Sequence, residues 1–82
     1  MKVDPKIKEQ ILVEFQKKKE VQVAIKGTRR QLEEKGLAVV HEFTNLDYPL
    51  CTVVLKSKGD IKKLEEDEEN LEVLYAPEYH IL

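Results

Sequence analysis

Apolar residues first recur along this chain at helical spacing. Ile7, Ile11 and Phe15, with Leu12 beside them, fall on one face of a helix. Asp4-Pro5 opens that helix: Asp accepts from an orphan N–H, and Pro has no N–H to leave unpaired. Lys17, Lys18 and Lys19 then suit a last turn, where the helix dipole favours cations, so the pattern predicts a helix over 5–19. The period changes at Val21. Val21, Val23 and Ile25 alternate with Gln22, Ala24 and Lys26, which predicts a strand with one buried face. Gly27 ends it. Thr28 with Gln31 fits a capping box and Gly36 fits the left-handed residue past a helix end, leaving a short helix over 29–35 with Leu32 as its only large apolar residue. A second strand follows over 37–43. Asn45, Asp47 and Pro49 then punctuate a turn before a third strand, 50–55, which is apolar on both faces. The connection is short enough for an antiparallel hairpin. Gly59-Asp60 opens a helix over 59–68 whose inner face is Ile61 and Leu64. Leu71 to Tyr75 reads as the fourth strand.

The order is a helix followed by β-α-β-β-α-β. Two β-α-β units joined by a hairpin, with right-handed crossovers, give a four-stranded antiparallel sheet carrying its helices on one face. The expectation is an α+β, ferredoxin-like domain with an extra N-terminal helix. Its 82 residues divide into that helix (1–19), a core (20–76) and a C-terminal tail (77–82).

In such a sheet the face away from the helices should be polar in a solitary protein. Here it is not. If Val39, Phe43, Cys51, Val53 and Leu55 point to the helices, then Ala38, Val40, Leu50, Thr52 and Val54 point away. A one-residue slip would exchange two sets that are both apolar. A contiguous apolar face marks an interaction surface. The N-terminal helix lying over it, or a homodimer through the sheet, would also close it. The chain ends on a second apolar feature, Pro77-Glu78-Tyr79-His80-Ile81-Leu82, in a sequence that is 37% charged. Such a tail either completes the domain's own core or serves as a peptide ligand.

Charge and chemistry narrow the function. The formal net charge is -2, and phosphate binding needs a basic excess, so nucleic acid is not expected as the main partner. No apolar run approaches the length of a membrane span, and the first ten residues lack the apolar stretch of a signal peptide. The compartment is left open. Cys51, the one cysteine, excludes an internal disulfide and reads as a small buried hydrophobe. The three glycines stand singly, so none forms a phosphate-cradling loop, and Gly27-Thr28-Arg29-Arg30 is a poor match to an acylphosphatase loop. Paired cysteines for metal delivery are missing, and His41 and His80 have no metal-ligand spacing. His41 reads as a structural or solvated strand residue, and the acids from Glu65 to Glu69 as a solvated helix end. Neither catalysis, nor a metal, nor a cofactor is expected.

From Val21 onward, over about 60 residues, the pattern resembles the propeptides of subtilisin-like serine proteases, the I9 inhibitor family. The resemblance rests on the Val21-Gln22-Val23-Ala24-Ile25 strand, Glu34-Lys35-Gly36 leading to Val39 and Phe43, and Cys51 to Leu55 preceding a helix with Ile61 and Leu64. The Asn70-Leu71-Glu72-Val73-Leu74 strand completes it. The family fold is the same β-α-β-β-α-β sheet. The resemblance implies an intramolecular chaperone and inhibitor whose partner is a subtilisin-like protease. Ala38, Val40, Leu50, Thr52 and Val54 would meet the protease surface. Tyr79, His80, Ile81 and Leu82 would lie in the substrate cleft like a cleaved product, with Leu82 in the S1 pocket and Tyr79 at S4. The family often carries an acidic pair after the fourth strand that caps two protease helices. Here Tyr75-Ala76-Pro77-Glu78 leaves only Glu78 for that contact. The alternative expectation is a small regulatory domain that dimerises or binds a ligand through its sheet.

Overall fold

A computed structural model describes residues 1–75 of the chain. The first helix, α1, spans Pro5–Phe15 and opens as its sequence dictates, with Asp4 Oδ1 accepting from the Lys6 N–H at 2.8 Å. It stops earlier than the expected 5–19. The apolar spacing ends at Phe15, Gln16 caps the helix, and Lys17 to Lys19 belong to the approach to the next element. Strand β1 is Val21–Lys26 and helix α2 is Arg29–Glu34. Thr28 and Gln31 form the expected reciprocal cap: the Gln31 N–H donates to Thr28 Oγ1 at 3.2 Å, and the Thr28 N–H donates to Gln31 Oε1 at 2.9 Å. Gly36 follows with φ +80°, a conformation that penalises any side chain. Strands β2 (Ala38–Phe43) and β3 (Leu50–Leu55) form the hairpin.

Helix α3 is Lys58–Glu66, and the short strand β4 is Glu72–Leu74. The helix ends two residues before the expected 68, because Asp67 leaves helical geometry. Its carboxylate turns to Lys35, whose Nζ lies 2.9 Å from Asp67 Oδ1 and 3.0 Å from Glu69 Oε1. Lys8 takes Glu65 at 3.0 Å. Part of the acidic run is therefore paired with lysines rather than simply solvated, and it ties the end of α2 to the chain after α3.

The sheet order is β2-β3-β1-β4 with every neighbouring pair antiparallel, the ferredoxin-like arrangement. Its inner face carries Val21, Val23 and Ile25 from β1, Cys51, Val53 and Leu55 from β3, and Val73 from β4. These pack with Ile11, Leu32, Ile61 and Leu64 in one cluster. All three helices thus contribute to the same core. The extra helix α1 does not lie over the other face; it sits beside α3 and β1.

One strand breaks strict alternation. Val39 opposes Val53, whereas His41 opposes Thr52, so Val40 is an additional residue, a β-bulge in β2. The bulge corrects one expectation. Phe43 opposes Leu50 and stands on the outer face, not toward the helices, because a single extra residue reverses the facing of everything after it. The two edges of the sheet also differ. At β4 the Lys2 N–H donates to the Leu71 carbonyl at 2.7 Å and the Lys2 carbonyl accepts from the Val73 N–H at 3.1 Å. The start of the chain thereby lies along that edge, as a parallel bridge to Glu72.

Candidate docking face

The face away from the helices is assembled from alternate residues of four strands. β1 contributes Gln22, Ala24 and Lys26; β3 contributes Leu50, Thr52 and Val54. β2 contributes Ala38, His41 and Phe43, and β4 contributes Glu72 and Leu74, which oppose Lys26 and Ala24. The five residues expected to form the surface, Ala38, Val40, Leu50, Thr52 and Val54, do lie together on this side. Ala38 opposes Val54, and Val40 lines the same groove as Leu50 and Thr52. They are not equally available. Leu50 and Val54 are buried by their neighbours, Ala38 and Thr52 are half-buried, and Val40 is 53% exposed because the bulge lifts it out of the ladder.

Part of the face is a groove of about 530 Å³ between the β2–β3 turn and the middle of the sheet. His41, Phe43, Leu46 and Tyr48 line it beside Val40 and Leu50, with Gln22 and Thr52 adding an amide and a hydroxyl. The His41 and Phe43 rings meet edge to face, with centroids 4.6 Å apart and planes at 88°, the arrangement aromatic quadrupoles favour. Lys26 Nζ stands 5.0 Å from the Tyr48 ring centroid and 3.0 Å from Glu72 Oε1. The Glu72 carboxylate accepts its hydrogen bond and holds the ammonium above the usual lysine range. This pair places a fixed, neutralised charge at the border of the face rather than in its centre.

No known protein family, curated protein or solved structure matches the chain.

Gln22, His41, Phe43, Leu46 and Tyr48 are outside the surface expected from sequence. Alternation misplaced Phe43, and turn punctuation at Asn45, Asp47 and Pro49 drew attention from Leu46 and Tyr48 between them. A usable signal was present: two large apolar residues in a turn of an otherwise charged chain, and the adjacent pair Val39-Val40 on an edge strand. The expected cleft residues Tyr79, His80, Ile81 and Leu82, with Glu78 before them, lie outside the described residues.

On the opposite side of the sheet Cys51 is fully buried, and its thiol donates to the Gly27 carbonyl at 3.4 Å. Burial pushes the Cys51 thiol up from its ordinary value, which disfavours the reactive thiolate. Among the described residues no group of three or more His, Cys, Asp or Glu is placed to hold a metal ion, and no helix is long and apolar enough to cross a membrane.

Proposed function

We propose that this chain is a protein-docking module whose partner is a subtilisin-like serine protease: it covers the protease with its outer sheet face and offers its C-terminal segment to the substrate cleft. The observation that carries the reading is a patch of exposed apolar side chains on the outer face, Val40, Leu46 and Tyr48, that none of the three helices covers, in a chain that is 37% charged. A sheet face of that kind loses free energy to water unless something covers it. The pattern from Val21 to Leu74 that resembles protease propeptides supports the choice of partner. On this reading the domain assists folding of the protease and inhibits it until removed, with Tyr79 and Leu82 as the anchors of the tail.

Hydrolysis of a chromogenic peptide by subtilisin, with the chain added, tests it. Inhibition at micromolar concentration is expected. Removal of Ile81-Leu82 should weaken it at least tenfold, since each buried side chain of that size contributes roughly 1.5–3 kcal/mol. No inhibition of subtilisin or of a cognate protease overturns the reading. Unchanged inhibition after truncation removes the tail from the cleft. The apolar lining of the groove at Tyr48 would also suit a second reading, a regulatory domain that binds a ligand or a second copy through its sheet, but the openness of the groove weighs against it. Sedimentation of a strict monomer counts against the dimeric form of that reading.

A further inference from the structure

We infer that the groove beside Tyr48 receives one uncharged aromatic side chain presented by the protein that covers the outer face. The inference rests on the docking reading for the partner's identity and adds what that partner must present.

The lining favours a neutral group. No Asp, Glu, Lys or Arg lines this groove, although more than a third of the chain is charged. Two other hollows of comparable size among the described residues differ: one is bounded by Lys35, Lys62 and Asp67, another by Lys6, Glu9 and Glu14. The Lys26–Glu72 pair beside Tyr48 neutralises itself, so a charged group entering the groove would shed its water with no unpaired counter-charge to meet. Three of the four exposed large hydrophobics among the described residues, Val40, Leu46 and Tyr48, rim this one groove. The perpendicular His41 and Phe43 rings offer both an edge and a face to a third ring. Gln22 and Thr52 supply hydrogen-bonding groups that suit a phenol hydroxyl or an indole N–H.

The size of the groove narrows its occupant further. Three half-exposed side chains present on the order of 300 Å² of surface, well short of the roughly 800 Å² per partner of a stable dimer. A second copy held by the groove alone is too weakly attached. A free small molecule is disfavoured for the opposite reason. Tyr48 and Val40 at the rim stay 44% and 53% exposed, so the groove is open, whereas ligand sites bury about 70–90% of their ligand. A side chain already carried by a surface resting on the sheet needs no such enclosure.

The test is titration of the isotope-labelled chain with N-acetyl-tyrosinamide, followed by amide NMR, with N-acetyl-lysinamide as the charged control. The aromatic amide should shift resonances of Gln22 and of residues 40–52, saturating in the millimolar range, and the lysine amide should not. Tyr48→Ala should lower that affinity at least fivefold, while Val13→Ser, an exposed apolar site on α1, leaves it unchanged. In the protease assay Tyr48→Ala should raise the inhibition constant at least tenfold. Shifts that are absent, that spread over the molecule or that survive Tyr48→Ala overturn the inference, even where the wild-type chain inhibits. So does equal inhibition by wild type and Tyr48→Ala. A dimer at the NMR concentration that dissolves in Tyr48→Ala overturns it in favour of a second copy. Localised shifts in a chain that does not inhibit support the groove and count against the protease reading alone.

Discussion

Replacing Ile11 by Ala tests where α1 sits, and with it whether the outer face is free. Ile11 is the one fully buried residue of α1, at 0% exposure, and it packs in the cluster that holds Leu32, Ile61 and Leu64. The substitution removes three carbons. At about 0.8 kcal/mol per buried methylene the transfer loss is about 2.4 kcal/mol. The cavity left beneath the helix brings the expected cost into the range of about 2–5 kcal/mol. A chain of 82 residues has a total stability of about 4–12 kcal/mol at 0.05–0.15 kcal/mol per residue. The variant should therefore lose about a sixth or more of its stability and melt at least ~8 °C lower. Urea unfolding followed by circular dichroism reads this as a lower midpoint with an unchanged slope. Val13→Ala is the internal control. Val13 is 42% exposed on the same helix, and its truncation should cost less than about 0.5 kcal/mol. If Ile11→Ala were as mild as Val13→Ala, α1 would not be part of the helix-side core, and the argument for an uncovered outer face would fall.

Three further outcomes are expected. Gly36→Ala should destabilise by about 1–2 kcal/mol in the same unfolding assay, since φ at Gly36 is +80° and an L-residue resists it, although a new Cβ would meet only Lys63 Nζ, at an ordinary 3.6 Å. Lys35 is held above the ordinary lysine range by its hydrogen bonds to Asp67 and then Glu69. Its folded value exceeds its unfolded one, so its contribution is fully present below the unfolded lysine range and is lost as pH rises through the higher folded value. Lys35→Met should flatten the alkaline limb of a stability-against-pH curve above about pH 10. Cys51 should resist a thiol reagent in the native state and react at the rate of global unfolding, being buried with a raised thiol pKa; rapid native-state labelling would refute that placement.

The elements themselves were legible because each boundary has its own local chemistry. Asp4-Pro5, the Thr28 and Gln31 cap, and Gly36 act through the backbone within three residues, so sequence alone exposes them. The ends of α1 and α3 were harder. Lys17 to Lys19 and the acids after Glu66 suit a helix end, yet the chain leaves the helix before them. For α3, Asp67 finds Lys35 thirty-two residues away. The placement of Phe43 failed for a related reason. Strict alternation assumes a continuous ladder, and the bulge at Val40 depends on how β2 meets β3, a long-range fact. The apolar outer face was legible because it survives any register slip. The groove was not, since it depends on the bulge at Val40 and on β1 bringing Gln22 against residues 40–52.

The coverage of one sheet edge by Lys2 has a consequence for association between copies. Growth of a sheet from molecule to molecule into a fibre needs two open edges per copy, one to donate and one to accept. Over Leu71–Val73 the outward N–H and C=O groups at β4 already have partners within the chain. Pairing through β2 alone joins one copy to one other around a two-fold axis and then stops. Crowded or partly concentrated preparations should thus accumulate closed pairs in preference to open-ended polymers, with the kink at Val40 shortening even that ladder.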